Sequence, residues 1–235
     1  MLPLTLLTTS QQRQEQQSSR GELAYLLLKE KIVTLKLAPA SLLNESELMN
    51  ELKLGRTPIR EALQRLAWED LVVILPRRGT IVADVNFSDL QKVFELRIEL
   101  EAYAARLAAE RALPQQVREM EATFADADEI ISNGDNSQLL VLDHQAHIQL
   151  SKATQNEFLQ DTIERLYTHV LRLWYASIDR VGRLSQAISE HRDIIEAVKQ
   201  GDGESAAQIM RKHVRGFQRE FEHITIGMHG SDRSR

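Results

Sequence analysis

Three histidines and one aspartate stand at spacings that suit a metal ion. Asp143 and His147 are four residues apart, so on a helix they project from one face, which also carries Leu139, Leu140 and Leu150. His191 falls within the stripe Leu184, Ile188, Ile195 and Val198, and His213 within the stripe Ile209, Phe217 and Phe221. All four polar groups are therefore expected to turn into an apolar interior. One buried histidine is ordinary, and a core imidazole bonded to a backbone carbonyl would explain any of the three singly. Three neutral imidazoles and a carboxylate arriving from three helices would instead form a site for Zn²⁺ or a similar divalent ion, with room for a water or an exogenous oxygen ligand. Spacing alone leaves these readings level, because nothing in it shows that the three helices meet.

The elements that would carry these residues are helical throughout. From Asn86 onward, Ser88 or Asp89 can cap a helix running to about Ala112, Pro114 opens another to about Ser132, and Asn133 to Asn136 is a turn. Further helices are expected at about 137–153, 157–179, 184–200 and 203–225, with Gly201-Asp202-Gly203 separating the last two. The reading is an all-α bundle of six helices. Arg97 lies on or beside the face formed by Leu90, Phe94 and Ala104. A buried arginine needs an anion, and Glu101, one turn on, could supply it. His144 is offset by about 100° from the face of His147; with His169, His223 and His229 it reads as a surface or packing residue. Arg172, Trp174 and Tyr175 read as core. The small residues of Ala102 to Ala112 would let a neighbouring helix approach closely, within the subunit or across a dimer.

Residues 42–79 have a different organisation: a short helix, a tight turn, a second helix and a basic hairpin. In the second helix Ile59, Ala62, Leu63 and Leu66 form an inward stripe, which leaves Arg56, Arg60 and Gln64 on the outer face. Thr57 is expected to cap this helix, with Pro58 in its first turn. Leu71 to Leu75 and Thr80 to Val85 read as strands around Pro76-Arg77-Arg78-Gly79, a turn with two positive charges. The parts compose a winged helix-turn-helix, whose second helix can enter the major groove while Arg56, Thr57, Arg60, Gln64, Arg77, Arg78 and Gly79 meet phosphate or base edges. The alternative is a surface helix with a solvated face beside an ordinary hairpin.

The fold class expected is mainly α: an N-terminal winged helix-turn-helix with a small β wing at 20–85, an all-α domain at 86–228, and tails at 1–19 and 229–235. The polar segment SQQRQEQQSSR reads as a disordered lead-in. The start MLPLTLLTTS lacks the basic region of a secretory signal, and no apolar run approaches the ~18 residues of a membrane span, so a cytoplasmic protein is expected. Cysteine is absent, which excludes disulfides and thiolate metal cages. The net charge of −5 is unevenly spread. Residues 1–83 hold 11 Lys and Arg against 9 Asp and Glu, and the acidic excess lies in the remainder. Binding to DNA would therefore rest on a few placed phosphate contacts and weaken with salt.

The string RTPIREALQRLA followed by a two-strand wing closely resembles the GntR family of bacterial transcription regulators. Leu43, Glu45 and Leu48 match the family's opening, Arg56 to Leu63 its centre with Ile59 for valine, and Gly79 its wing. Gly55 stands where the family usually has Ser or Thr, Lys53 for the turn glycine, and Asp70 for the glycine before the wing. Residues 86–225 look like the FCD ligand-binding domain of the FadR subfamily, on Asp143/His147, on Glu190-His191 through Ile194, Ala197, Gly201 and Asp202, and on His213. Ala146 departs from the aromatic that often precedes the histidine.

The resemblance implies that Asp143, His147, His191 and His213 bind a divalent metal, zinc first with nickel or manganese possible. It implies that Arg97 grips the carboxylate of a small effector, a hydroxy- or dicarboxylate, whose other oxygens complete the metal shell. It further implies a homodimer on a palindromic operator, acting as a repressor, with no membrane involvement and no catalysis. Three rivals stand beside it: a sensor of the metal itself, a structural metal with Arg97 paired internally, and a metalloenzyme, since a three-histidine ion can activate water.

Overall fold

Ser19 accepts a hydrogen bond from the Glu22 N–H and so starts helix α1, Arg20–Val33, which the sequence reading did not delimit. The structure is a computed structural model that describes residues 19–231. The expected tails lie outside the described residues apart from Ser19 and from 229–231, which continue the last helix. The chain divides into two units: residues up to Asn86 together with Leu171–Ala176, and Phe87–Val170 with the residues from Ser177.

In the first unit α1 is followed by β1 (Leu42–Leu43), α2 (Glu45–Leu52), α3 (Arg56–Trp68), β2 (Val72–Leu75) and β3 (Gly79–Val82). Asn44 starts α2 by accepting from the N–H groups of Ser46 and Glu47. The sheet order is β1-β3-β2, antiparallel, with Val72 opposite Val82 and Leu42 opposite Ile81. The strand expected to reach Val85 ends at Val82, and β1 adds a third strand beside the two foreseen. Two residues are too short to show a period of two, so β1 had no signal in the sequence. Ala24, Leu28 and Ile32 of α1 pack with Ile59, Leu63 and Leu66 of α3 and with Leu71 and Val82 of the wing.

The expected cap at Thr57 is corrected. The residue that flanks the start of α3 is Gly55, in extended backbone and without a side-chain cap bond, so Thr57 lies inside the first turn with its side chain exposed. Pro58 sits in that turn, where its missing N–H leaves no intrahelical bond unmade. Lys53 and Asp70, at the two positions where the resemblance expects glycine, both adopt the left-handed region, with φ of 53° and 57°. The backbone bends that glycine would have supplied are thus kept by residues with a Cβ.

The second unit is built of α4 (Phe87–Arg111), α5 (Pro114–Thr123), α6 (Ala127–Ser132), α7 (Asn136–Ala153), α8 (Glu157–Ser177), a 3₁₀ turn (Ile178–Arg180), α9 (Leu184–Gln200) and α10 (Gly203–Ser231). The span expected as one helix over 114–132 is two, so the described residues hold seven α-helices here. The break follows Phe124, which closes α5 and is itself buried. Gly201, at φ 73°, ends α9 in the left-handed region, and the Asp202 N–H returns to the Ala197 carbonyl at 2.9 Å. That reversal lays α10 back against α9 and along α4, while α7 packs on α4 and α9. These four helices surround the groups described next.

Candidate functional site

The helices bring together all four residues that spacing had marked. Asp143 and His147 come from α7, His191 from α9 and His213 from α10. One nitrogen or oxygen from each lies within 4.8 Å of all the others, and the four residues are at most 2% exposed. Nε2 of His147 is 3.2 Å from Nε2 of His213. Oδ1 of Asp143 is 2.9 Å from Nε2 of His191 and 3.4 Å from Nε2 of His213. A tetrahedral centre with bonds of about 2.0–2.1 Å has ligand-to-ligand edges of about 3.4 Å, so the quartet fits such an ion with small adjustments.

Asp143 and His191 are in states that suit a cation, whereas at His213 burial is outweighed by the hydrogen bonds and charges of Asp143 and Glu190, which raise this imidazole, so an ion must displace a proton there. Burial by itself would raise the Asp143 carboxyl, but hydrogen bonds from His191 and His213 outweigh it and hold the group well below the usual carboxylate range. Burial, with the His213 charge adding to it, pushes His191 down to about 3, so this imidazole is neutral at neutral pH and keeps a lone pair for an ion. Asp143 supplies one negative charge to the cluster.

Around the quartet lies a layer that the spacing did not reveal. Tyr167 on α8 donates its hydroxyl to Oδ2 of Asp143. Glu101 on α4 sets Oε2 directly against Nδ1 of His147, as a close charge contact rather than an aligned hydrogen bond, and its Oε1 accepts from Nε of Arg97. Glu190, next to His191 on α9, turns Oε2 to Nδ1 of His213 at 3.0 Å. Such partners fix which nitrogen of a histidine faces the ion and strengthen it as a ligand. The i,i+4 spacing of Arg97 and Glu101 did point to that pair. No pattern pointed to Tyr167, or to Glu190 reaching across to a different helix.

Arg97 is 3% exposed, bonded to Glu101, with its guanidinium carbon 4.5 Å from the centre of the Tyr167 ring. It therefore adjoins the quartet through both Glu101 and Tyr167. His144 packs at 5% exposure with its ring 4.8 Å from that of Tyr167, in keeping with a packing role. Trp174, set aside as core, is 2% exposed.

In the first unit the outward residues foreseen are all at the surface: Arg56, Thr57, Arg60 and Gln64 on α3, and Arg77, Arg78 and Gly79 in the wing turn. Arg60 donates from Nε to Oε2 of Glu45 on α2 at 2.9 Å, an exposed pair that tethers α3 to its neighbour. Trp68, at the end of α3, is 83% exposed and drew no notice in the sequence.

Comparison with known proteins agrees with this architecture. Residues 21–82 match the gntR family of bacterial regulatory proteins, and residues 92–216 match the FCD domain. The HTH-type transcriptional repressor RspR of Escherichia coli (strain K12) is 28% identical over 190 residues, 81% of this chain and 83% of the relative. The Nta operon transcriptional regulator of Aminobacter aminovorans is 35% identical over 130 residues, 54% and 60% of the two chains. Among solved structures, E. coli McbR/YncC superposes with a TM-score of 0.78 over 89% of this chain and 100% of its own, at 21% identity, which speaks for the fold. No described helix is long and apolar enough to cross a membrane. With a reading helix and wing in one unit and a buried histidine–aspartate cluster in an FCD domain, the chain belongs to the GntR family of bacterial DNA-binding transcription regulators.

Proposed function

We propose that this regulator is a repressor whose hold on its operator is set by a small carboxylate bound at a divalent metal in the helical domain. The observation that carries the reading is the convergence of three imidazole Nε2 atoms and one carboxylate in a buried space, beside a buried arginine. Asp143, His147, His191 and His213 hold the ion, zinc first and nickel or manganese as alternatives, which His and Asp ligands also accept. Arg97 takes the effector's carboxylate, since a guanidinium fork pairs bidentately with such a group. Two relatives bear the word repressor in their names, RspR of E. coli and a regulator of D-xylose utilization in Paenarthrobacter nicotinovorans.

The chains act as homodimers, with two α3 helices about 34–36 Å apart on a palindromic site. Arg56, Thr57, Arg60 and Gln64 read or grip the major groove while Arg77, Arg78 and Gly79 meet the flanking backbone. Effector binding moves the equilibrium between operator-competent and incompetent states by no more than its difference in affinity for the two.

One observation favours a second reading. Four protein donors already complete a tetrahedral shell, the closed arrangement of structural zinc. A metal without an organic effector, sensed directly or purely structural, fits that arrangement as well. A thermal-shift screen of small carboxylates on metal-loaded and chelator-treated protein separates the two. Saturation at 100 times Kd stabilises by about 2.7 kcal/mol. A shift that vanishes on chelation supports the carboxylate sensor. No shift from any acid, with a large loss of stability on chelation alone, supports the metal by itself.

A further inference from the structure

The layer behind the quartet is uneven. His147 has Glu101 at its outer nitrogen and His213 has Glu190, whereas Nδ1 of His191 is buried with no hydrogen-bond partner among the described residues. Of the two carboxylates, Glu190 has the longer line of support. Its Oε1 accepts from Nε2 of Gln186 at 3.0 Å, and its Oε2 accepts from Nη2 of Arg183 at 2.5 Å. Arg183 in turn lies 5.0 Å over the ring of Phe217, which stands edge-on to His213 at 5.1 Å.

What seats Arg183 there is an omission on α10. A Cβ built at Gly216 would fall 1.8 Å from Nη1 of Arg183 and 2.3 Å from its Cζ, so the guanidinium fills the volume that any other residue would claim. Gly216 is mid-helix, where glycine is a poor choice for the helix itself. It lies three residues from His213, on the adjacent turn of the same helix. The foot of Arg183 is fixed as well, because Glu220 accepts from the N–H groups of Gly182 and Arg183 at 2.6 and 3.2 Å.

Resting on the metal reading above, we infer that Glu190, clamped by Arg183 in the notch over Gly216, is the positioning residue that presents His213 to the ion. The glycine is retained at a helix-weakening position because its missing side chain is the arginine's seat. With the carboxylate held on Nδ1, that nitrogen keeps its proton, and it is the Nε2 proton, facing Asp143 and His147, that the ion would displace to gain the lone pair. Removing the clamp leaves the four ligands present and loosens one of them.

The test is chelator-competition titration of Zn²⁺ on the full chain, alongside the melting temperature of the metal-free protein and the visible absorption of the Co²⁺ form. Glu190→Gln, which keeps an acceptor and removes the charge, and Gly216→Ala, which evicts Arg183 by bulk alone, should each weaken Zn²⁺ by about 10- to 100-fold and change the Co²⁺ spectrum. Gly216→Ala should meanwhile change the metal-free melting temperature little, since alanine's preference for helix over glycine offsets the loss of the Arg183–Glu190 pair. Arg183→Met should match Gly216→Ala, and adding Gly216→Ala to it should cost nothing further. Wild-type Zn²⁺ affinity in Glu190→Gln and Gly216→Ala would overturn the inference while leaving the metal reading intact. A wild-type protein that takes up no Zn²⁺ would overturn both.

Discussion

Replacing Arg97 by methionine should cost about 3 kcal/mol in the metal-free protein. Methionine fills a similar volume, so the loss is electrical: it strands the Glu101 carboxylate at 2% exposure with only His147 beside it. Breaking a buried ion pair from one side typically costs about 3–5 kcal/mol, and the remaining contact with His147 places the expectation at the lower end. For a helical domain of this size, about 3 kcal/mol lowers the melting temperature by roughly 6–12 °C. Calorimetry of chelator-treated wild type, Arg97→Met, Glu101→Gln and the double variant supplies the full cycle. The double variant should cost little more than either single change, because the second substitution removes a group that the first had left unpaired. A loss below about 1 kcal/mol in Arg97→Met, or strictly additive losses, would refute the pairing and leave the arginine uncommitted in the absence of a ligand.

Three other outcomes are expected. Arg60→Ala should weaken operator binding by about 1–3 kcal/mol, or reduce the salt slope by about 1 where the contact is to phosphate, as read by fluorescence anisotropy across a salt series; unchanged binding at every salt concentration would remove Arg60 from the reading surface. Lys53→Gly relieves a left-handed Cβ at φ 53° and should raise stability by about 0.5–1 kcal/mol in urea titration, net of the extra freedom that glycine gives the unfolded chain. Acid should destabilise the metal-free helical domain in a defined window. Burial opposes the shift, but Arg97 and His147 bring Glu101 down to about 2, and His213 with Arg183 does the same for Glu190. Both groups bind a proton more weakly when folded, so their contribution is complete above the unfolded value of about 4.3 and is lost as pH falls toward 2. The unfolding midpoint should begin to fall below pH ~6.5, where His191 would take up a proton on unfolding but not in the fold, and steepen below ~4.3 as the two carboxylates add to the loss; Glu190→Gln should make the lower part of this acid limb shallower.

Periodicity carried much of this molecule. Ile59, Ala62, Leu63 and Leu66 are all buried, and the residues between them are exposed, because a 3.6-residue repeat on one face is a local property that survives folding. The quartet was legible for the same reason: each member sits in an apolar stripe, and the stripes of α7, α9 and α10 share one interior. What stayed hidden depends on where helices lie against each other. Glu190 was visible only as the neighbour of His191, yet its carboxylate serves His213 on another helix. Tyr167 lies in an ordinary stripe of α8, and no spacing ties it to Asp143. The break between α5 and α6 comes at Phe124, an apolar residue that continues the stripe and so disguises the turn. The hydroxyl of Thr57 suits a cap, which is what the sequence suggests, while the chain begins α3 from the extended backbone of Gly55.

The quartet also sets an order of events during synthesis. His147 and His213 are 66 residues apart in sequence, and the later one lies on the last of the described helices. No shorter nascent chain that stops before α10 can assemble the complete donor set, whatever its earlier helices have done. If the quartet holds an ion as proposed, that ion can be bound in full only as a closing act, once α10 has been made and packed against α4 and α9. A chain cut short before His213 by premature termination or by proteolysis would keep every residue of the winged helix-turn-helix and lack one member of the donor set.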